Sequence, residues 1–109
     1  MARIIGNDEL PNNGSVHKFE GYLHGEVDAS FFLSDTAPGK GSDLHRHLYD
    51  EVFVVQEGQL TFTVGEDTAE ATGGQVMVAL AGVPHKFVNS GTGRAGHIDI
   101  HTSRRMITD

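Results

Sequence analysis

Short strand-like runs separated by turn residues are the feature that most limits the folds open to this chain. Segments rich in Val, Ile, Phe and Thr alternate with stretches of Gly, Asp, Asn and Pro, and no 11-residue window carries a helical period. We predict strands at 16–24, 30–36, 51–56, 60–64, 69–72, 75–80, 86–88 and 96–101. Short strands at such close spacing predict an all-β fold of antiparallel strands, either a sandwich or a barrel.

The length of the chain, 109 residues, suits one domain with one hydrophobic core. No composition break, internal repeat or low-complexity tract divides the chain, so we predict a single domain over residues 1–109. The longest uninterrupted apolar run, residues 76–81, is far too short to cross a bilayer, and the first residues lack the apolar core of a signal peptide. We therefore expect a cytoplasmic protein.

The charge balance narrows the choice of partners. Eight Lys and Arg residues oppose fifteen Asp and Glu residues, which gives a net charge of −7. Nucleic-acid phosphates and anionic lipid repel such a chain, and no basic stripe offsets that repulsion. We expect a small-molecule ligand or substrate, with no nucleic acid and no membrane among the partners.

One segment matches a nucleotide-binding motif, but the residues that follow it argue against nucleotide binding. Residues 91–96 match the G-x-G-x-x-G pattern of dinucleotide-binding proteins. That pattern needs a helix to follow, because the helix N-terminus holds the pyrophosphate. Residues 97–101 alternate like a strand instead, so we interpret the segment as a hairpin loop.

Seven His and no Cys shape the chemistry that the chain can perform. The absence of Cys excludes disulfides, a thiolate nucleophile and thiolate-bound metal sites. His45 and His47 form an H-x-H pair, and on a strand such residues face the same side, roughly 6.5–7 Å apart at about 3.3 Å per residue. They can then converge on one metal ion. The alternative is two solvated histidines on a strand edge.

Two further residues extend this pair to a ligand set. Glu51 leads into an apolar strand, where a carboxylate is costly to bury unless it is paired or ligated; its alternative place is the solvated rim. His85 follows a Gly-Val-Pro turn and opens a distant strand. Three imidazoles and one carboxylate suit a divalent transition metal: Fe, Mn, Ni, Co, Zn or, by raw affinity, Cu.

The spacing of these residues resembles the two sequence motifs of the cupin superfamily, in its small single-domain form. The first motif is matched at every named position, by Gly39, His45, His47, Glu51 and Gly58. The second motif, G-x5-P-x-G-x2-H-x3-N, is matched at four of its five named positions, by Gly74, Gly82, His85 and Asn89. Leu80 replaces its first proline, which bears on turn shape rather than on ligation. Together the motifs span residues 39–89.

The resemblance implies a double-stranded β-helix, which is a jelly-roll barrel with a metal near its open end. Carried over residue by residue, the metal ligands of the family fall on His45, His47, Glu51 and His85. Cupins are commonly dimers that meet through outer strand faces or exchanged N-terminal strands. The continuous apolar run at 52–55 agrees with an interface, since both faces of that strand would be covered. We therefore expect a homodimer.

Strand parity indicates which other side chains line the site. If Glu51 and His85 point inward, so do Phe53 and Phe87, which we predict as apolar walls of a substrate pocket; ordinary core packing is the alternative. Tyr49 is a further candidate, as a hydrogen-bond donor at the pocket rim.

The last strand is amphipathic in an ambiguous way. His97, Asp99 and His101 share one face, and two isoleucines share the other. Because apolar residues normally take the buried face, we expect the isoleucines inside and the polar residues facing solvent or a dimer seam. In the reverse arrangement, Asp99 and a histidine reach the pocket as an acid–base pair.

Three functions fit this sequence. The first is a metal-dependent enzyme acting on a small molecule, of dioxygenase, isomerase or lyase type, whose catalytic residues the sequence does not identify. The second is a non-catalytic small-ligand-binding or sensing module with a structural metal. In the third, the metal only stabilises the fold. Fold alone does not decide among them.

Overall fold

The strand pattern of the sequence corresponds to the observed architecture. A computed structural model describes residues 2–107, and within that range the chain forms eight strands and two 3-10 turns, without an α-helix. The strands are β1 (Val16–Glu20), β2 (Ser30–Thr36), β3 (Glu51–Glu57), β4 (Gln59–Val64), β5 (Asp67–Thr72), β6 (Gln75–Ala79), β7 (His85–Asn89) and β8 (Ala95–His101). The turns are Asn7–Glu9 and Gly21–Leu23. The described residues include no helix that could span a membrane.

The strands form two antiparallel sheets that enclose the core. A five-stranded sheet has the order β1-β2-β8-β3-β6, and a three-stranded sheet has the order β5-β4-β7. Aromatic rings meet between the sheets, because the Phe53 ring of β3 and the Phe62 ring of β4 lie with their centroids 5.0 Å apart. The buried cluster around them also contains Val55, Leu60, Ala71, Ala79 and Ala95. The prediction of an all-β antiparallel fold is confirmed.

The first strand is shorter than predicted. It ends at Glu20, and the chain turns at Gly21 instead of continuing to residue 24. The carbonyl oxygen of Val27 packs against Gly21, only 1.8 Å from where a Cβ would stand. Gly21 also donates its backbone N–H to the Ser30 hydroxyl, at 3.1 Å. This close approach of two backbone segments needs glycine and turns the chain toward β2.

The prediction for the facing of β8 is wrong. His97, Asp99 and His101 are buried, whereas Ile98 and Ile100 are only half-buried on the outside. The register explains this orientation: Asp99 lies opposite Phe53, and His101 lies opposite Glu51. The polar row therefore faces the barrel interior, where each member has a hydrogen-bonding or ionic partner, described below.

The opposite side of the five-stranded sheet is an apolar surface, which we call the outer face. Its side chains alternate with those of the interior on all five strands. Val76 and Val78 of β6 are the most open, at 57% and 52% exposure. The outer face comprises Phe19, Phe31, Leu33, Val52, Val54, Val76, Val78, Ile98 and Ile100.

Candidate metal centre

Four side chains from three parts of the chain converge near one end of the barrel. His45, His47, Glu51 and His85 each offer a ligand atom, and these four atoms lie within 4.8 Å of one another. The Glu51 carboxylate is central: its Oε1 lies 3.1 Å from His47 Nε2 and 3.0 Å from His85 Nε2. His45 is half-buried, and the other three are buried. The structure thus brings together the four residues predicted from the sequence.

The H-x-H pair reaches this point from a loop, between the second and third of the predicted strands. Residues 37–50 connect β2 to β3 and run along β7, where His45 and His85 exchange backbone hydrogen bonds of 3.0 and 2.8 Å. The His47 carbonyl accepts the Gly82 N–H at 2.7 Å. Isolated pairing of this kind holds the two histidines against the start of β7 without a regular ladder.

Backbone carbonyls orient all three imidazoles in the same way. Nδ1 of His45 lies 2.7 Å from the Asp43 carbonyl, and Nδ1 of His85 lies 3.0 Å from the Val83 carbonyl. Nδ1 of His47 lies 2.6 Å from the carbonyl of Ile107, 60 residues away. A carbonyl only accepts, so each Nδ1 donates a proton. In the neutral ring, Nε2 then presents its lone pair to the centre, as a metal ligand must.

The donor set fits a cation. In neutral rings the Nε2 atoms are acceptors, like the carboxylate that they face, and acceptors at such distances repel unless a proton or metal ion lies between them. His47 Nε2 is buried and makes no hydrogen bond with any residue of the described range. An unsatisfied buried nitrogen costs free energy, which coordination to an ion would recover.

The pKa values show how the centre behaves without metal. Burial lowers the pKa of His47. Burial alone would raise the pKa of Glu51, but hydrogen bonds from His101 and His85 bring it down to about 2. Burial opposes the charged form of His85, yet its hydrogen bonds to Glu51 and the Val83 carbonyl raise its pKa overall. Glu51 is thus an anion at neutral pH, and a metal ion at the centre would bind that charge.

The side chains that support Glu51 from behind are not evident from the sequence. His101 Nε2 lies 3.4 Å from Glu51 Oε2, the oxygen that faces away from His47 and His85. The Tyr49 hydroxyl lies 2.7 Å from His101 Nδ1 and accepts the backbone N–H of Ile107 at 3.1 Å. Tyr49 therefore orients a histidine rather than standing alone at the rim. The pairing of His101 with Glu51 in the β3–β8 register was the missing information.

A cavity of about 250 Å³ opens beside the four residues. Phe53 and Phe87 both line it, in the positions predicted for apolar walls. Phe53 is also part of the buried core, where its ring meets Phe62, so it serves both packing and the cavity wall. Lys18 and Met106 close the cavity on the side of β1.

Comparison with known proteins identifies the family. Residues 32–101 match the family model described as Cupin domain, and this range contains all four clustered residues. The chain belongs to the cupin family. The predicted double-stranded β-helix is the fold shared with solved cupin structures.

Three solved structures illustrate the likeness. A mutant of Bacillus subtilis oxalate decarboxylase has a TM-score of 0.77 at 18% identity and covers 86% of this cupin, which spans 27% of that chain. An oxalate oxidase in complex with glycolate has a TM-score of 0.76 at 22% identity. The match covers 95% of this cupin and 58% of the oxidase chain. A Bacillus halodurans protein has a TM-score of 0.68 at 19% identity. The match covers 72% of this cupin and 65% of that protein. At these identities the likeness shows the fold alone.

Among curated proteins, an uncharacterized protein of Streptomyces coelicolor is 44% identical over 41 residues. The matched segment is 38% of this cupin and 39% of that relative. The cupin thus spans well under two thirds of this relative and of the decarboxylase, and the activities of whole relatives enter below only as proposals.

Proposed function

We propose that this cupin is a divalent-metal-dependent enzyme that acts on a small molecule inside its barrel. The observation that carries the proposal is the convergence of three oriented Nε2 atoms and the Glu51 carboxylate beside a cavity. Oxalate decarboxylase and oxalate oxidase, both enzymes, share the fold, and Mn(II) centres are described for the Bacillus subtilis decarboxylase. These neighbours support an enzymatic role without assigning a substrate.

The charge of the centre favours an oxygen anion as ligand. Glu51 contributes one negative charge and the neutral histidines none, so a divalent ion held there keeps a net positive charge. A bound divalent ion supplies Lewis acidity, which polarises a substrate oxygen or acidifies a water molecule. Lys18 lines the same cavity, with its ammonium paired to the Glu20 carboxylate at 3.2 Å, so most of the positive charge available to a ligand comes from the ion. A small molecule carrying a carboxylate or a polarised carbonyl matches these features.

The alternative is a non-catalytic cupin that binds or senses a small ligand and uses the metal structurally. The observation in its favour is a second cavity of about 520 Å³, open to solvent, with a volume usual for small-molecule pockets. A binding module would retain its ligand unchanged through purification, whereas an enzyme would release a product.

Metal analysis of purified protein, followed by chelation and titration with Mn(II), Fe(II), Co(II), Ni(II), Zn(II) and Cu(II), tests the metal assignment. We expect one equivalent of metal in the wild type and none in His47→Ala. His17→Ala is the matched control, because His17 lies on β1 outside the cluster. Mass spectrometry of small molecules released from holoprotein separates turnover from retention. Wild-type protein without affinity for any of these ions would overturn the proposal.

We also propose that two copies associate through the outer face. Each copy carries a net charge of −7, so two copies repel except where their meeting surfaces lack charge. The outer face provides such a surface: it has nine apolar side chains across five strands, and the charged Asp35 on the same side of β2 is paired with Arg94 at 2.9 Å. An apolar patch of this extent is unusual on a monomer, and a two-fold dimer needs a patch that complements itself.

A further inference from the structure

A second carboxylate, that of Asp99, lies next to the metal centre in the wall of two adjoining cavities. The cavity of about 520 Å³ lies between β2 and the loop at residues 37–42, and it adjoins the cavity at the metal ligands. The two cavities share four wall residues, Phe32, Ser42, Phe87 and Asp99. We call this combined space the chamber. Asp99 is the carboxylate that both parts have in common.

Asp99 is held by a hydrogen-bonded chain. Its Oδ1 lies 2.5 Å from Nδ1 of His97, and Nε2 of His97 lies 2.8 Å from the Thr36 hydroxyl. His97 and Asp99 are 1% and 4% exposed. The consistent assignment is that Thr36 donates to Nε2 and that Nδ1 donates to the carboxylate. Oδ2 accepts no hydrogen bond from any residue of the described range, so it remains free for a ligand.

The distance along the sheet suits a small molecule. In the β3–β8 register, Asp99 lies opposite Phe53 and His101 lies opposite Glu51. Residues two apart on one strand face are roughly 7 Å apart. A ligand of a few heavy atoms at the metal centre therefore extends to Asp99, with Phe32 and Phe87 beside it in the chamber wall.

We propose that Asp99 is the acid–base residue of this enzyme, that His97 positions it, and that the substrate is a carbon acid, with a C–H next to a carbonyl. This inference rests on the metal-dependent function proposed above. In the forward step the C–H bond breaks, the proton forms an O–H bond with Asp99 Oδ2, and the electron pair stays on the substrate, delocalised onto the carbonyl oxygen. Return of a proton from Asp99 Oδ2 to the same carbon restores the carbonyl compound, so the cycle exchanges that proton and needs no oxidant.

The surroundings of Asp99 favour this chemistry over nucleophilic catalysis. The chain has no Cys, and Phe32 and Phe87 line both parts of the chamber together with Asp99. A carboxylate in apolar surroundings next to a cation is a recurring arrangement for proton abstraction beside a carbonyl. Burial also raises the pKa of Asp99, and the negative charge of Glu51 adds to that effect against the opposing hydrogen bond from His97. A higher pKa makes the carboxylate a stronger base.

Deuterium exchange tests the proposal with pyruvate as the probe, because a 2-oxo acid carries both an anionic oxygen group and acidic methyl protons. Zinc-loaded protein is incubated with pyruvate in D₂O, and loss of the methyl signal is followed by ¹H NMR. We expect exchange well above that of zinc-free protein. Asp99→Asn should slow it by about 100-fold or more, the usual contribution of an acid–base group. Asp67→Asn, an exposed carboxylate on β5, is the matched control and should exchange like wild type.

A binding measurement accompanies the rate. In protein labelled with ¹⁵N-histidine, pyruvate should shift the His97 ring signals in zinc-loaded wild type, since a ligand on Asp99 alters its hydrogen bond to His97. The zinc content and the circular-dichroism spectrum of Asp99→Asn should stay like those of wild type, which separates loss of the base from loss of the fold.

The outcomes are distinguishable. If the wild type binds zinc but pyruvate neither binds nor exchanges, or if Asp99→Asn exchanges as fast as wild type, the role of Asp99 is overturned and the metal centre stands. If zinc and the other ions do not bind at all, the proposed function itself fails.

Discussion

His101 touches the one oxygen of Glu51 that the predicted metal ligands leave free. Its Nε2 lies 3.4 Å from Oε2, while Oε1 faces His47 and His85. The carboxylate is therefore held from both sides, by candidate ligands on one and by β8 on the other. A group that orients a ligand in this way contributes to metal affinity without binding the ion.

Replacing His101 should weaken metal binding without abolishing it. We expect His101→Gln to raise the metal Kd by about 10- to 100-fold, the usual effect of losing an orienting partner, measured by isothermal titration calorimetry. Tyr49→Phe, which removes the hydroxyl next to His101 Nδ1, should have a smaller effect in the same direction. Equal affinity of His101→Gln and wild type would show that Glu51 needs no support from β8.

Metal should stabilise the protein through the four clustered residues. At a free metal concentration of 100 times Kd, binding contributes about 2.7 kcal/mol, which for a domain of this size raises Tm by roughly 10 °C or more. Differential scanning calorimetry with and without a chelator measures this shift. It should disappear in His47→Ala and persist in His17→Ala. A shift that survives in His47→Ala would place the ion elsewhere.

The buried carboxyl of Asp99 should make stability fall as pH rises. Because burial raises the pKa of Asp99 in the folded protein, its contribution to stability is present below the unfolded pKa and is lost as pH rises through the folded pKa. Asp99→Asn cannot lose that contribution. Its free energy of unfolding relative to wild type should therefore increase with pH, on top of a pH-independent offset, in urea titrations of metal-free protein. A difference that stays flat from pH 4 to 8 contradicts this, and Asp67→Asn should stay flat.

The outer face should control association. Val76→Asp places a charge on the most exposed strand of this face, where Val76 is 57% exposed, so the monomer should tolerate it. We expect wild type to behave as a dimer in size-exclusion chromatography with light scattering, and Val76→Asp to shift it to monomer. Thr68→Asp adds the same charge on exposed β5 of the other sheet and should leave the dimer intact. A monomeric wild type would refute the interface.

The sequence predicted the strands and the ligand set for physical reasons that apply locally. Turn residues bracket each apolar run, so most predicted strand ends agree with the observed ones within one or two residues. The predicted end of β1 is wrong, because the Val27 carbonyl approaches Gly21 and the chain turns there. The four clustered residues were found because their spacing along the chain is regular. The path of the chain through these residues could not be predicted, because His45 and His47 lie on a loop that follows β7.

The inward row of β8 could not be predicted, because its burial depends on distant partners. His97 pairs with Thr36 at a separation of 61 residues, and His101 pairs with Tyr49 at a separation of 52. Hydrophobicity favoured burying the isoleucines, yet those residues join the outer face, where Val52 and Val54 lie beside them. Apolar side chains lie next to β8 both in the barrel interior and on the outer face. Tertiary contacts therefore decide which side of the strand is buried.

The backbone of Ile107 holds two residues of the centre at once, accepting from His47 Nδ1 and donating to the Tyr49 hydroxyl. Metal binding and the ordering of the segment after β8 are therefore thermodynamically linked. Anything that immobilises this segment should tighten metal binding, and by reciprocity the metal should immobilise the segment by the same free energy. Hydrogen exchange at the Ile107 amide would then report metal occupancy from the far end of the chain.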